Sequence, residues 1–332
     1  MPGRRKLSKI QLGIEGAATQ GTAVPATVIW RGPAGFFEDE EVPVFAEEDL
    51  GLLAPVGRSY VPKAGATLAM PETEATYEQL PYILMAGVET ESVASATNST
   101  GTYYTWTFEF ATGATKTTST YTIETGDDVD QVEAEYCFVE DFNLKGAVDG
   151  PLMMSANWRG RQVTEEIDFT TGIALATVEE IIFNKGVLSI DANTIGTTPS
   201  VGSLIDLDFK AVTGLQAYTT AEGNIYFYAT KQVGPDITLA ITFEHITAAV
   251  TEKAACKAGT LRLIQLQWTG TDAVGGQAKT LTIQMAGYWE KFDSISETDG
   301  NNVVAGTFRA KYSSAEALYC NIAIINALSA LP

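Results

Sequence analysis

His245 is the one histidine among 332 residues, and no serine or cysteine stands near it in a nucleophile-elbow or Cys-His arrangement. Its imidazole therefore reads as a local polar contact, because a general base needs a reacting partner within reach. Gly32-Pro-Ala-Gly35 lacks the Lys-Ser/Thr of a phosphate loop, and no G-x-G-x-x-G follows a strand pattern. Cys137, Cys256 and Cys320 lie far apart with no C-x-x-C, so neither a zinc knuckle nor a disulfide framework is indicated, and buried thiols in a reducing compartment are expected. The acidic runs Glu38-Asp39-Glu40-Glu41 and Asp127, Asp128, Asp130 offer oxygens to calcium, which wants several converging at about 2.4 Å. Neither run has EF-hand spacing, and both read as solvated, partner-seeking loops. Asn98-Ser99-Thr100 matches a glycosylation acceptor and, with no secretion signal before it, reads as loop composition. The expectation is a chain with no catalytic residues, no metal and no cofactor, hence not an enzyme.

Charge narrows the partners. With 41 acidic and 21 basic side chains the formal charge is −20, which disfavours non-specific attraction to phosphate backbones. A surface that stays near DNA without sticking to it is compatible with that balance. No run of about 18 apolar residues suggests a membrane span, and the basic start Arg4-Arg5-Lys6 is not followed by an apolar signal core, so synthesis in the cytoplasm is expected. At 45% apolar and 10% aromatic residues the chain can pack one large or two ordinary cores.

The elements that must position these side chains show a duplication. Phe292, Asp299-Gly300, Phe308 and Arg309 each lie 150 positions after Phe142, Asp149-Gly150, Trp158 and Arg159. Each copy reads as two strands around an Asp-Gly, the pair that accepts the positive φ angles of a tight hairpin. Ala66-Thr67-Leu68-Ala69 returns as Ile237-Thr238-Leu239-Ala240, 171 positions on, and a helix candidate follows both. The first opens on the Thr76/Gln79 capping box and stops at Gly87; the second starts near Thr247, places Val250 and Ala254 on one face and stops at Gly259. Strands are expected at 103–110, 120–124, 135–145 and 152–161, matched in order by 260–268, 280–285, 288–296 and 302–312. The first copy carries about 22 extra residues between helix and hairpin, read as surface insertions. Residues 32–62 form a long acidic arm, 167–176 a crossover, 178–191 and 203–212 the opening strands of the second copy, 224–230 another strand, and 318–325 a closing strand or short helix. The fold class is mainly β with minor α: two tandem β-sandwich domains, residues 1–172 and 173–332, each with one flanking helix.

On the second hairpin strand Leu152, Met154, Ala156 and Trp158 alternate with Ser155, Asn157, Arg159 and Arg161, and Val304, Phe308 and Tyr312 alternate with Thr307, Arg309 and Lys311. One face is core and the other locally basic. Arg159, Arg161, Arg309 and Lys311 either meet the acidic arm of a neighbouring subunit, at Glu38, Asp39, Glu40, Glu41, Glu47, Glu48 and Asp49, or form an ordinary exposed strand face.

Gly13-Ile-Glu15 with Gly21-Thr-Ala-Val-Pro-Ala-Thr27, the helix Tyr77-Glu-Gln-Leu-Pro81, the strand Tyr121-Thr-Ile-Glu124 before an acidic turn, and Asn157-Trp-Arg-Gly160 resemble, in that order, the major tail tube proteins of long, non-contractile-tailed bacteriophages. The likeness spans most of residues 9–161 and returns more faintly to 312. The resemblance implies β-sandwich subunits stacked as rings, whose inner strands join into one barrel through which DNA leaves the capsid. Its partners would be other copies of itself and the tail tip, terminator and tape-measure proteins, in the virion tail. Most members form hexamers of one domain; two domains here imply the fused variant, in which a homotrimer imitates six. If each domain gives four strands, 24 strands at about 4.8 Å spacing and about 40° tilt make a backbone diameter of roughly 48 Å. Removing side chains leaves roughly 38 Å, room for a duplex roughly 20 Å across given its groove depths of about 8 Å. An acidic lining would present no ion pairs to break as DNA slides. The competing expectations are another virion β subunit, for capsid decoration or the tail tip, and a carbohydrate-binding sandwich with Tyr226-Phe227-Tyr228 or Tyr288-Trp289 as its aromatics.

Overall fold

The computed structural model describes residues 3–54, 57–89, 92–98, 101–199, 204–274 and 276–331. Ser99 and Thr100 of the glycosylation triplet, and Ser203 at the head of one expected strand, lie outside those residues. The chain is mainly β, and every ladder among the described residues is antiparallel. No helix among them is long and apolar enough to cross a membrane.

In chain order the first half holds β1 (Lys9–Ile14), β2 (Val28–Ile29), the short arm strands β3 (Glu38–Asp39), β4 (Val44–Phe45) and β5 (Ser59–Tyr60), then β6 (Ala66–Glu74), α1 (Leu80–Gly87), β7 (Ser92–Asn98), β8 (Gly101–Glu109), β9 (Tyr121–Gly126), β10 (Gln131–Ala147) and β11 (Met153–Gly160). The 17 residues of β10 serve two layers. Its first part pairs with β9, which pairs with β1, and its second part pairs with β11, which pairs with β6. The bend comes at a bulge between Ala134 and Cys137, where Tyr136 takes a left-handed φ of 56°. Leu12 and Ile123 from one layer and Leu68 and Trp158 from the other are fully shielded between them, and Tyr121 meets Trp158 edge-on with ring centroids 5.8 Å apart. On β11 the period of two is obeyed: Met154, Ala156 and Trp158 are buried while Ser155, Asn157 and Arg159 keep solvent.

Helix α1 starts where Thr76 accepts the Gln79 amide at 3.1 Å, the capping contact expected of that pair, and all eight of its residues are buried. It ends at Gly87, whose missing side chain serves close packing and not a left-handed cap: a Cβ there would stand 2.9 Å from Thr213 Cγ2 and 3.1 Å from Val139 Cβ.

The second half holds β12 (Gly186–Asp191), β13 (Leu204–Val212), β14 (Leu215–Tyr218), β15 (Ala229–Gln232), β16 (Asp236–Glu244), α2 (Thr247–Ala258), β17 (Arg262–Val274), β18 (Gln277–Phe292), β19 (Ser296–Thr298), β20 (Asn301–Ala310) and β21 (Cys320–Asn326). Its pairings β12 with β17, β17 with β18, β18 with β20 and β20 with β16 repeat β1 with β9, β9 with β10, β10 with β11 and β11 with β6. The repetition extends to register. Val139 faces Trp158 and Phe142 faces Ala156; 150 residues later Trp289 faces Phe308 and Phe292 faces Gly306. A bulge falls between Val139 and Asp141 in one hairpin and between Trp289 and Lys291 in the other. Thr67 faces Arg159 as Thr238 faces Arg309. Both hairpins turn on an aspartate at positive φ, 69° at Asp149 and 51° at Asp299.

Several element expectations change. The counterpart of β17 is β9, not the 103–110 strand, and 280–285 belongs to β18, where it matches the first part of β10. The 103–110 strand, β8, instead pairs with the closing strand β21, so part of the 22-residue surplus is built into the sheet rather than laid on it. The strand expected from 224 begins only at Ala229. Helix α2 has its expected limits, with Gly259 as a left-handed cap at φ 59°, but Val250 and Ala254 face solvent. Ala249, Glu252 and Ala255 form its inner face, because Glu252 is drawn in by Arg262 (3.0 Å) and the Trp289 indole N–H (2.9 Å). Tyr312 is exposed, since the chain leaves the sheet after Ala310.

The halves are knitted together. Residues 141–147 of β10 pair with 212–206 of β13, residues 104–109 of β8 pair with 326–321 of β21, and one core cluster draws on both halves. The expected boundary at 172/173 falls within residues 167–179, which form no strand or helix.

Candidate subunit interface

Because β10 meets β13, one ladder crosses both copies. Glu74, Met153, Lys145, Asp208, Ala240, Thr307 and Lys291 are successive cross-strand partners on β6, β11, β10, β13, β16, β20 and β18. Behind this row the alternate residues Leu144, Phe209, Leu239 and Phe308 are fully buried, so the row lies on a solvent-facing sheet surface seven strands wide.

That surface is acidic once its internal pairs are subtracted. Lys145 is held by Glu72 at 2.7 Å, Arg309 by Asp236 at 2.6 Å and Glu290 at 2.5 Å, and Arg159 by Glu40 at 3.0 Å. Glu74, Asp208 and Glu244 share the face with no ion-pair partner among the described residues, against one unpaired cation, Lys210.

The arm reaches this sheet from the side. Glu38 and Asp39 pair with Thr67 and Ala66 on the outer edge of β6, and the Glu40 amide donates to Gly65 O at 2.8 Å. Glu40 Oε2 then accepts Lys63 Nζ at 2.9 Å and Arg159 Nη2 at 3.0 Å; the Lys63 hydrogen bond, against the opposing effect of burial and with help from Arg159, holds its carboxyl below the ordinary 4.5. Towards the N-terminus the arm continues beside β6, since a Cβ on Gly35 would touch Leu68 and Pro71. Pro71 interrupts the donors of β6 there, and no ladder forms.

Of the residues expected to mark an interface, only Glu40 and Arg159 are brought together, and within one chain. Glu41 is exposed, its amide on Asp39 Oδ1 at 2.8 Å; Glu47 and Asp49 lie in an irregular stretch where Glu48 pairs with Arg58 at 2.8 Å. Arg161 is an anchor for the 220s loop: it donates to Phe227 O and Tyr228 O and lies 4.6 Å over the Tyr136 ring. Lys311 is exposed just past β20. Asp127 closes its own turn, Oδ1 accepting the Val129 and Asp130 amides at 2.7 and 3.1 Å, and among the described residues no three His, Cys, Asp or Glu side chains are grouped to hold a metal ion.

The open sheet edge was the feature missed from sequence. Residues 291–297 are the counterparts of 141–147, yet where β13 covers one edge of 141–147, no described strand covers that edge of 291–297. The strand breaks at 293–295 and its side chains are exposed. Ile295 standing where the first copy has Lys145 is the sequence signal that could have found it. No protein-family model matches this chain, and no curated protein matches it, so the sheet surface and its edges carry the functional reading by themselves.

Proposed function

We propose that the chain is a structural subunit of a conduit, a tail-tube-like protein whose seven-strand surface lines a passage for double-stranded DNA and whose copies join as rings that stack. One observation carries this reading: a single sheet runs through both halves from β6 to β18 and leaves an edge at each end for another copy. With the arm taking an edge position beside β6, each half supplies four strand positions: the arm, β6, β11 and β10, then β13, β16, β20 and β18. Three chains then give 24 strands and a clear bore of roughly 38 Å, so a trimer with pseudo-sixfold symmetry fits a duplex.

The electrostatics supports the same use. Lys145, Arg159 and Arg309 on the surface are paired with in-chain carboxylates, leaving Lys210 as an unpaired cation that Glu74, Asp208 and Glu244 outnumber, and these acids act only within about 8 Å at physiological salt. Such a wall guides DNA by weak repulsion.

Negative-stain microscopy of the purified protein tests the reading directly. Rings or stacked tubes with a stain-filled centre are expected, together with no measurable retention of duplex DNA at about 0.15 M salt. Closed compact oligomers with no central channel, or tight DNA binding, would overturn it.

A further inference from the structure

We propose that a second copy of this chain completes the open edge of β18: its residues 34–40 lie antiparallel on residues 291–297, in the register that β13 takes on β10 inside each chain. The inference rests on the conduit reading for the ring it builds, but its geometry comes from the duplication alone.

The correspondence is fixed by two registers. Glu38 faces Thr67 on β6 as Lys210 faces Thr238 on β16, so each arm residue stands 172 positions before its β13 counterpart. Burial agrees: Gly35 and Phe37 turn inward as Leu207 and Phe209 do, while Phe36 and Glu38 turn outward as Asp208 and Lys210 do. The arm is therefore the first copy's β13, already seated on its own β6, and no described strand pairs with its far edge, although Gly35 O already accepts the Thr125 hydroxyl. On the other side residues 291–297 continue β18 as 141–147 continue β10, on an edge that the chain itself leaves empty.

Transferring the register names the contacts. Lys145 opposite Asp208 becomes Ile295 opposite Phe36 of the second copy. These two side chains are 49% and 47% exposed in the single chain, and setting them side by side covers part of the apolar surface of each. Asp141 opposite Val212 becomes Lys291 opposite Glu40, two opposite charges. Asn143 opposite Lys210 becomes Asp293 opposite Glu38, two like charges that weaken the joint. An edge with an apolar centre and one repulsive pair holds a reversible joint and resists indiscriminate strand pairing.

Cysteines test the joint. Facing residues on antiparallel strands have Cα atoms about 4.5–5.5 Å apart, within the range a disulfide spans. Phe36→Cys with Ile295→Cys in one chain should, on mild oxidation, give a ladder of covalently joined subunits, and each single variant should not. Within a chain the two positions sit at opposite ends of an eight-strand row, roughly 34 Å apart at about 4.8 Å per strand, so the link must be between copies. Both sites are exposed, so the variants should fold; far-ultraviolet circular dichroism checks this. Asp293→Lys, which removes the like-charge pair, should lower the concentration at which the ladder forms by about threefold.

Rings in the microscope without the 36–295 link would overturn the joint and leave the conduit reading standing. Linked pairs from protein that forms no rings would support the joint and overturn the conduit. Folded double variant that gives no link at high concentration and no rings counts against both.

Discussion

Arg159 Nη2 lies 3.0 Å from Glu40 Oε2, and Lys63 Nζ reaches the same oxygen at 2.9 Å. The acidic arm is thus clamped to the basic strand of its own chain, at the edge where β6 lacks a full partner. The pair is partly solvated, so it contributes about 1 kcal/mol or less to global stability. Its larger effect is local. Glu40→Gln should leave the midpoint of urea denaturation nearly unchanged while tryptic cleavage after Arg58 or Lys63 accelerates several-fold. An unchanged cleavage rate in the variant would show that the arm is held by something else.

Acid should open the same clamp in a defined window. The folded pKa of Glu40 lies below the ordinary 4.5, so its contribution is present above that value and is lost as pH falls through the lower folded value. Glu133, Glu135 and Glu140 on β10 move the other way, burial raising all three, so their charged forms oppose folding near neutrality and that opposition fades as pH falls through their raised values. Acidification from pH 7 towards 5 should therefore not destabilise β10, and the arm should loosen first below about pH 4.5. Hydrogen exchange of the Glu40 amide, corrected for its intrinsic rate, reads the arm, and the exchange of β10 amides reads the sheet. Simultaneous loss of protection in both would contradict this order.

Glu15 holds the bend in β10. Its carboxylate is buried and accepts four hydrogen bonds, from the Gly21 amide and Thr120 hydroxyl at 2.7 Å, the Tyr136 amide at 2.8 Å and the Thr122 hydroxyl at 3.0 Å. The Tyr136 contact stabilises a left-handed backbone that a tyrosine adopts only under constraint. Glu15→Gln keeps the volume but turns an NH2 donor toward two of those donors, so a loss of about 2–4 kcal/mol in chemical denaturation is expected. A change below about 0.5 kcal/mol would mean that the four contacts do not determine the bend.

The sequence exposed the duplication because hairpin geometry constrains its residues tightly: an Asp-Gly turn, a bulky residue at Trp158 and Phe308, and an arginine one step on. The spacing of 150 even carried the bulge. Less was legible where one residue type serves two environments. Val250 and Ala254 looked like a helix core, but Glu252 finds Arg262 and Trp289 from distant strands, and no local period encodes that. The 103–110 strand has a partner, β21, more than 200 residues away, and nothing in its own residues encodes so distant a pairing. The basic stripe was legible as a stripe, yet its in-chain partners Glu40, Asp236 and Glu290 arrive by tertiary packing. The open edge escaped because it is defined by a missing neighbour.

Asn326 supplies the last test, because it decides whether the two halves behave as one body. Its side chain is fully buried; Oδ1 accepts the Trp106 indole N–H at 2.9 Å and the Leu328 amide at 3.0 Å, while Nδ2 donates to Tyr77 O at 2.9 Å. One amide therefore ties the closing strand to β8 and to the turn that leads into α1. Asn326→Asp removes the donor to Tyr77 and sets a charge in a dry site, Asn326→Ala leaves two donors and one acceptor unpaired, and Trp106→Phe leaves Oδ1 still satisfied by Leu328. The destabilisation should fall in that order, with the alanine variant losing about 2–4 kcal/mol. If β21 stitches the halves, the wild type should unfold in one transition and the aspartate variant should separate into two, seen by comparing tryptophan fluorescence with far-ultraviolet circular dichroism. Two transitions already in the wild type would mean that the pairing of β8 with β21 does not couple the halves.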